Sequence, residues 1–289
     1  MLVSSCQADA LLTGYRKRYL FTGTDRMKAI ILSAGQGRRL MPLTANTPKC
    51  CLMLAGKTLL EHQVESLAAN GIEEIVVVTG FGHRLVDQVV SKIQGISVRT
   101  LYNPFYALSD NLGTSWVARH EMKGPFLLVN GDTLFESSTL ARLLSGESIY
   151  PITLASDHKG QYDDDDMKII ADGKQLKRVG KKLKMETVNG ESIGMMVFNQ
   201  AGADAFVNKV ESLMAGTGGL VRWYLSAIDE LAMAGLVGIN SINGSGWCEV
   251  DDHADLAHAE ETVSNWDNQA VQAGACISAR TENVRRNMQ

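Results

Sequence analysis

The sequence predicts an α/β fold built on a mainly parallel sheet, and three observations carry that expectation. Strand-like and helix-like segments alternate through the first half, the order that a parallel sheet with right-handed crossovers requires. The first strand, Ala29-Ile30-Ile31-Leu32, is apolar without interruption, as a strand covered on both faces must be. After Pro151 the texture changes to short strand-like pieces punctuated by Gly160, Gly173 and Gly190, which reads as an inserted antiparallel lid over about residues 151–198.

The elements follow in order. Leu59, Leu60, Val64, Leu67 and Ala68 share a face at helical spacing, so 59–69 reads as a helix that Asn70-Gly71 stops. Glu74 to Thr79 is a second strand, His83 to Ile93 a helix, Ser97 to Tyr102 a third strand and Phe126 to Val129 a fourth. The later pieces are strands at 152–155, 167–171, 175–179 and 193–198. Helices follow at 201–214 and 221–234, then a strand at 236–242 and a helix at 252–262. The organisation is one domain over 27–265, a disordered leader over 1–26 and a polar tail over 266–289.

Composition narrows the function. The chain has 289 residues, 45% hydrophobic and 21% charged, with a formal net charge of -4. Such a chain has no bulk attraction for nucleic acid or an anionic membrane, so a positive site must be local. No apolar run approaches the roughly 20 residues of a membrane span. Five cysteines without metal spacing read as free buried thiols of a cytoplasmic protein. The six histidines show neither metal spacing nor a nucleophilic triad.

The first strand runs into Ala34-Gly35-Gln36-Gly37-Arg38-Arg39-Leu40, then Pro42-Leu43-Thr44 and Pro48-Lys49. Gly35 and Gly37 let backbone N–H groups approach phosphate oxygens, while Arg38, Arg39 and Lys49 neutralise charge. A dinucleotide fingerprint needs glycine where Leu40 stands, and no Walker loop occurs. Asn130-Gly131-Asp132 ends an apolar strand, where open α/β sheets bind ligands, and an aspartate there is placed to hold Mg2+. Glu249-Val250-Asp251 ends another short strand, and alternation points both acids to one face. Asp252 is free to cap the helix behind them.

The string with Arg39, Pro42-Leu43-Thr44 and Pro48-Lys49 resembles the signature of the nucleoside-triphosphate transferase family. The resemblance covers about residues 27–263 and is nearest to phosphocholine cytidylyltransferase-like and sugar-phosphate enzymes. It implies a Rossmann-like domain of the nucleotide-diphospho-sugar transferase type. It also implies NTP binding by Leu32, Ala34, Gly35, Gly37, Arg38, Asn111 and Ser115, catalysis by Arg39 and Lys49, and Mg2+ on Asp132 and Asp251. Lys168, Lys181 and Glu191 are implied to bind the acceptor. The run Asp110 to Trp116, with Asn111 and Ser115, is nearer the phosphocholine type, although Gly113-Thr114 departs from it.

The expected reaction joins an NTP, CTP in first place, to a small phosphate monoester such as phosphocholine and releases pyrophosphate. Sugar 1-phosphate and inositol 1-phosphate are the alternative acceptors. A choline head needs an aromatic cage, for which Tyr106, Tyr162, Trp223 and Tyr224 are the candidates. The acids Asp163 to Asp166 are placed to meet a cationic head. A non-catalytic nucleotide-binding relative is the reading from another class, and the presence of Arg39, Lys49, Asp132 and Asp251 argues against it.

Overall fold

The computed structural model describes residues 27–146 and 148–266. The expected leader lies outside the described residues, as does the expected tail beyond Trp266. In chain order the elements begin β1 (Lys28–Ser33), β2 (Met53–Leu54), β3 (Lys57–Thr58), α1 (Leu59–Ala69), β4 (Glu74–Thr79), α2 (His83–Val90) and β5 (Ser97–Tyr102). They continue α3 (Asn111–Ala118), β6 (Phe126–Asn130), β7 (Thr133–Phe135), α4 (Ser137–Ser145), β8 (Ile152–Asp157), β9 (Lys168–Asp172), β10 (Gln175–Val179) and β11 (Gly190–Phe198). The last are α5 (Gln200–Ala215), α6 (Leu225–Met233), β12 (Val237–Ser241), β13 (Trp247–Glu249) and α7 (253–266).

Nine strands form one sheet in the order β5-β4-β1-β6-β11-β8-β12-β10-β9. The block β5-β4-β1-β6 is parallel throughout. The segment 151–198 is antiparallel in part, as expected, but it belongs to the main sheet. β11 pairs antiparallel with both β6 and β8, and β8 runs parallel to β12. β9 and β10 form a hairpin tied in on both sides, since β10 pairs with β12 and β9 pairs antiparallel with β11.

Both sheet faces are covered, which explains the unbroken apolar strands. Ile30 and Leu32 point into one core with Phe126, Phe198, Phe206 and Tyr224. Ala29 and Ile31 point into the other, with Leu60, Val64 and Leu140 from α1 and α4. Thr58 and Glu61 cap α1 reciprocally, with 2.7 Å from Thr58 N to Glu61 Oε2 and 3.2 Å from Glu61 N to Thr58 Oγ1.

A third cluster lies at one end of the sheet. Leu40, Leu52, Leu54, Leu134, Cys248, Val250, Ala259 and Val263 pack together there. They come from the stretch after the glycine loop, the chain leading into and through the β2–β3 hairpin, β7, β13 with the residue after it, and α7. β7 and β13 pair antiparallel, with Glu249 opposite Thr133. This small core draws three distant stretches of chain to one place.

Three helices depart from the expected bounds by three residues or more, α7 by continuing through 266 rather than ending at 262. α2 stops at Val90, three residues early, where the chain turns into 91–95. α6 begins at Leu225, so Trp223 lies ahead of it in irregular chain.

Candidate active site

The strand order reverses about β1: β4 and β5 lie on one side and β6 on the other. Such a switch point opens a crevice at the carboxyl ends of the strands. β1 ends at Ser33 and leads into the glycine loop; β6 ends at Asn130 and leads into Gly131-Asp132. The two ends are locked together, because Gly131 N donates to Leu32 O at 2.9 Å. A Cβ on Gly131 would stand 2.0 Å from Ser33 Oγ and 2.6 Å from Leu32 O, so only glycine fits. Gly37 adopts a left-handed φ of 71°, and its carbonyl accepts from Thr44 Oγ1 at 2.8 Å. The resulting cleft has a volume of about 230 Å3.

The charged groups converge at its mouth. The Lys49 ammonium donates to Asp132 Oδ2 at 3.0 Å and to Asp251 Oδ1 at 2.5 Å. Arg39 Nη2 lies 2.7 Å from Asp251 Oδ2, and its Nη1 lies 3.2 Å from Asp165 Oδ2. Lys181 Nζ takes the other oxygen of Asp165 at 3.2 Å. Burial opposes the charge on Lys49, yet the neighbouring Asp132 and Asp251 outweigh it and raise its proton affinity. Burial likewise opposes the Asp251 carboxylate, but Lys49 and Arg39 hold it below its usual range.

The ribbon of β7 and β13 sets this geometry. Val250 N donates to Asp132 O at 3.0 Å, so Asp132 and Asp251 are carried on neighbouring stretches of chain. Asp252 caps α7, its Oδ1 accepting from Ala254 N at 2.8 Å and Asp255 N at 3.0 Å. That leaves Asp251 free to face Lys49, as its sequence context suggested.

Glu249 is the acid that sequence reasoning did not assign. Burial, then the charges of Asp132 and Asp251, push its carboxyl up to about 8. Its signal was present in the strand alternation that sets it on the same face as Asp251. The donor chemistry fits a hard divalent cation. Asp132 Oδ1 is buried without a hydrogen-bond partner, an acceptor left for a ligand. Among the described residues no three His, Cys, Asp or Glu side chains are grouped to enclose an ion. Mg2+ is ordinarily held by one or two carboxylates with phosphate oxygens and water completing its shell.

Of the expected nucleotide contacts, Leu32, Ala34, Gly35, Gly37 and Asn111 line the cleft. Arg38 lies instead on an adjoining cavity of about 570 Å3, which shares Gly35, Tyr106, Ser109 and Asp110 with the cleft. Ser115 is fully buried behind the wall, its Oγ donating to Asn111 O at 2.8 Å. Asn111 is itself anchored, because its Oδ1 accepts from Tyr224 N at 2.7 Å.

The expected acceptor group divides. Lys181 sits at the mouth through Asp165, with its ammonium 5.1 Å from the centre of the Trp223 ring. Glu191 is buried, 3.4 Å from Lys159 Nζ, and burial pushes its carboxyl up to about 7 against the pull of Lys159. Lys168 departs from expectation. It is 1% exposed, and its ammonium donates to the carbonyl oxygen of Lys181 at 3.0 Å. A buried ammonium must satisfy its donors, and this one does so by holding the Lys181 backbone.

The aromatic cage does not assemble. Tyr224 is fully buried and donates to Asn130 Oδ1 at 3.0 Å. Tyr162 lies 6.0 Å below the Lys159 ammonium, while Trp223 and Tyr106 line the cleft.

Fold and site together define a nucleotide-binding α/β protein whose switch point carries a phosphate-type glycine loop and paired acids. Residues 29–205 match the MobA-like NTP transferase domain, and the chain belongs to that family. It is 34% identical over 111 residues to the choline-phosphate cytidylyltransferase of Streptococcus pneumoniae, covering 38% of this chain and 47% of that protein. It is 31% identical over 252 residues to the bifunctional IPC transferase and DIPP synthase of Rubrobacter xylanophilus, covering 85% of this chain and 54% of that protein. The chain thus spans about half the length of these curated relatives. The inositol-1-phosphate CTP transferase of T. maritima has the same fold, with a TM-score of 0.71 at 24% identity over 84% of this chain and 97% of that one.

Proposed function

We propose that the protein is a nucleotidyltransferase that joins CTP to a small phosphate monoester and releases pyrophosphate. The observation that carries this reading is the single ammonium of Lys49 shared by Asp132 and Asp251 at the switch-point mouth. Family membership and the names of the relatives support the cytidylyl donor.

The chemistry asks little of the protein beyond charge and alignment. An NTP and a phosphate ester repel each other strongly. The ester phosphate has a second pKa near about 6, so its oxygen is already a nucleophile at neutral pH. That oxygen attacks the α-phosphorus, and the bond from the α-phosphorus to the bridging oxygen of pyrophosphate breaks. Arg39 neutralises the departing pyrophosphate and Lys49 the α-phosphate, where charge develops. Lys181 binds the acceptor phosphate, and Lys168 holds the Lys181 backbone in place. Mg2+, when held by Asp132 and Asp251, supplies charge neutralisation at the phosphate oxygens.

Two acceptors have specific support. The acids about Glu191 suit the cationic head of phosphocholine. The aromatic residues that fail to gather, and the likeness in fold to an inositol-1-phosphate CTP transferase, support inositol 1-phosphate as the second reading. Pyrophosphate release with CTP, UTP, dTTP and GTP, each against phosphocholine, aminoethylphosphonate, glucose 1-phosphate and inositol 1-phosphate, tests the proposal. Release with CTP and one alcohol phosphate is expected. Asp132→Asn is expected to lower that turnover about a hundredfold. No release across the panel would return the protein to a nucleotide-binding role.

A further inference from the structure

The carboxylate of Asp110 has no task in the fold. Aspartate is among the best N-cap residues, and Asp110 is the N-cap of α3, yet its side chain accepts no capping hydrogen bond. Its backbone is fixed at both ends: its N–H donates to Leu220 O at 2.7 Å, and its carbonyl accepts from Thr114 N at 3.3 Å. No side chain among the described residues pairs with the carboxylate of this exposed residue, and partial desolvation alone moves its proton affinity, upwards. It stands where the cleft meets the adjoining cavity and lines both.

A lone carboxylate in a cleft for a polyanion is repulsive unless it faces the uncharged part of the ligand. The cations suited to a triphosphate, Arg39 and Lys49, are grouped on Asp132, Asp165 and Asp251. Asp110 pairs with none of them, and belongs to a wall built by Tyr106, Ser109 and Asn111 from a different stretch of chain. Bound nucleotide would seal this carboxylate from water, so it needs a donor there. Cytosine carries an amino group at ring position 4, where uracil and thymine carry a carbonyl oxygen.

We propose that Asp110 accepts a hydrogen bond from the exocyclic amine of the nucleobase and thereby sets a preference for CTP over UTP. This rests on the nucleotidyl-transfer reading and names the residue that selects its donor. A uracil carbonyl would face the carboxylate acceptor to acceptor, which rejects the base more strongly than loss of a contact does.

The test compares the wild type with Asp110→Asn, which keeps the shape and offers an amide donor to uracil. kcat/KM for CTP and UTP is measured with the best acceptor. Calorimetric titration of CTP and UTP without acceptor gives the binding ratio independently of turnover. The wild type is expected to favour CTP. Asp110→Asn is expected to move the CTP:UTP ratio toward UTP by about tenfold to a hundredfold in both measurements, with an unchanged urea midpoint. Asp110→Ser, which removes the charge and shortens the side chain, is expected to lower the ratio as well, so the proposal stands on two variants. A wild type that binds UTP as well as CTP, or variants that weaken both equally, overturns the assignment. If no NTP and ester pair releases pyrophosphate, the transfer reading fails, and the binding ratios of wild type and variant still decide the role of Asp110.

Discussion

Replacing Lys49 by Met removes the cation that Asp132 and Asp251 share. Its ammonium lies 3.0 Å from Asp132 Oδ2 and 2.5 Å from Asp251 Oδ1, and Glu249 adds a third acid whose proton affinity responds to both. Met keeps most of the apolar stem, so charge is the main change. Two unit charges about 5 Å apart repel by about 3 kcal/mol at an effective dielectric constant of about 20. The two aspartate side chains are 28% and 23% exposed. Water and salt therefore reduce the loss to about 2 kcal/mol. That corresponds to a fall in Tm of about 4–8 °C for a chain of this size. Thermal unfolding at pH 7 and low salt, for wild type, Lys49→Met and Lys49→Met with Asp251→Asn, measures it. The double variant is expected to regain most of the loss. Asp251 has a depressed pKa, so its stabilising pair is intact above the ordinary carboxylate range and is lost as pH falls below it. The difference between wild type and Lys49→Met therefore closes in acid. A Lys49→Met protein as stable as wild type at pH 7, or a double variant no better than the single one, refutes the reasoning.

Glu249→Gln is expected to stabilise the protein increasingly as pH rises from 4.5 to about 8, because the folded state holds a proton there that the unfolded state releases. Equal Tm differences at both ends of that window would contradict the buried neutral acid. Gly131→Ala is expected to prevent stable folding, since its Cβ meets the Leu32 carbonyl as well as Ser33 Oγ; pairing it with Ser33→Ala should not restore soluble, cooperatively unfolding protein. Tyr224→Phe removes the donor that Asn130 Oδ1 accepts from at the floor of the cleft and is expected to cost about 1 kcal/mol in urea unfolding, with wild-type stability as the contrary result.

Much of the parallel half was legible because its signals are local. The bounds of α1, β4 and β5 follow from periodicity and glycine stops, and Asp132 was found by its place at a strand end. The missed parts depend on tertiary contact. α3 contains Gly113, Thr114 and Ser115, poor helix formers in sequence. Gly113 is nonetheless required there, because a Cβ would come within 2.7 Å of Ser109 Cβ. β7 has three residues, too few for any period to appear. Lys168 reads as an acceptor-binding cation and Glu249 is left without a role, since nothing in a sequence shows that one ammonium will be satisfied by a carbonyl oxygen or that one carboxyl will be enclosed by other acids.

The ribbon that joins β7 to β13 has a consequence for the order of events during synthesis. The glycine loop, Lys49 and Asp132 all leave the ribosome more than a hundred residues before Asp251 does. Until β13 arrives to pair with β7, the nascent chain has its phosphate loop but only one of the two acids that share Lys49. Of the charged groups that meet at the mouth, Asp251 is therefore the latest to be made, and Lys49 gains its second acid only after β13 has paired with β7.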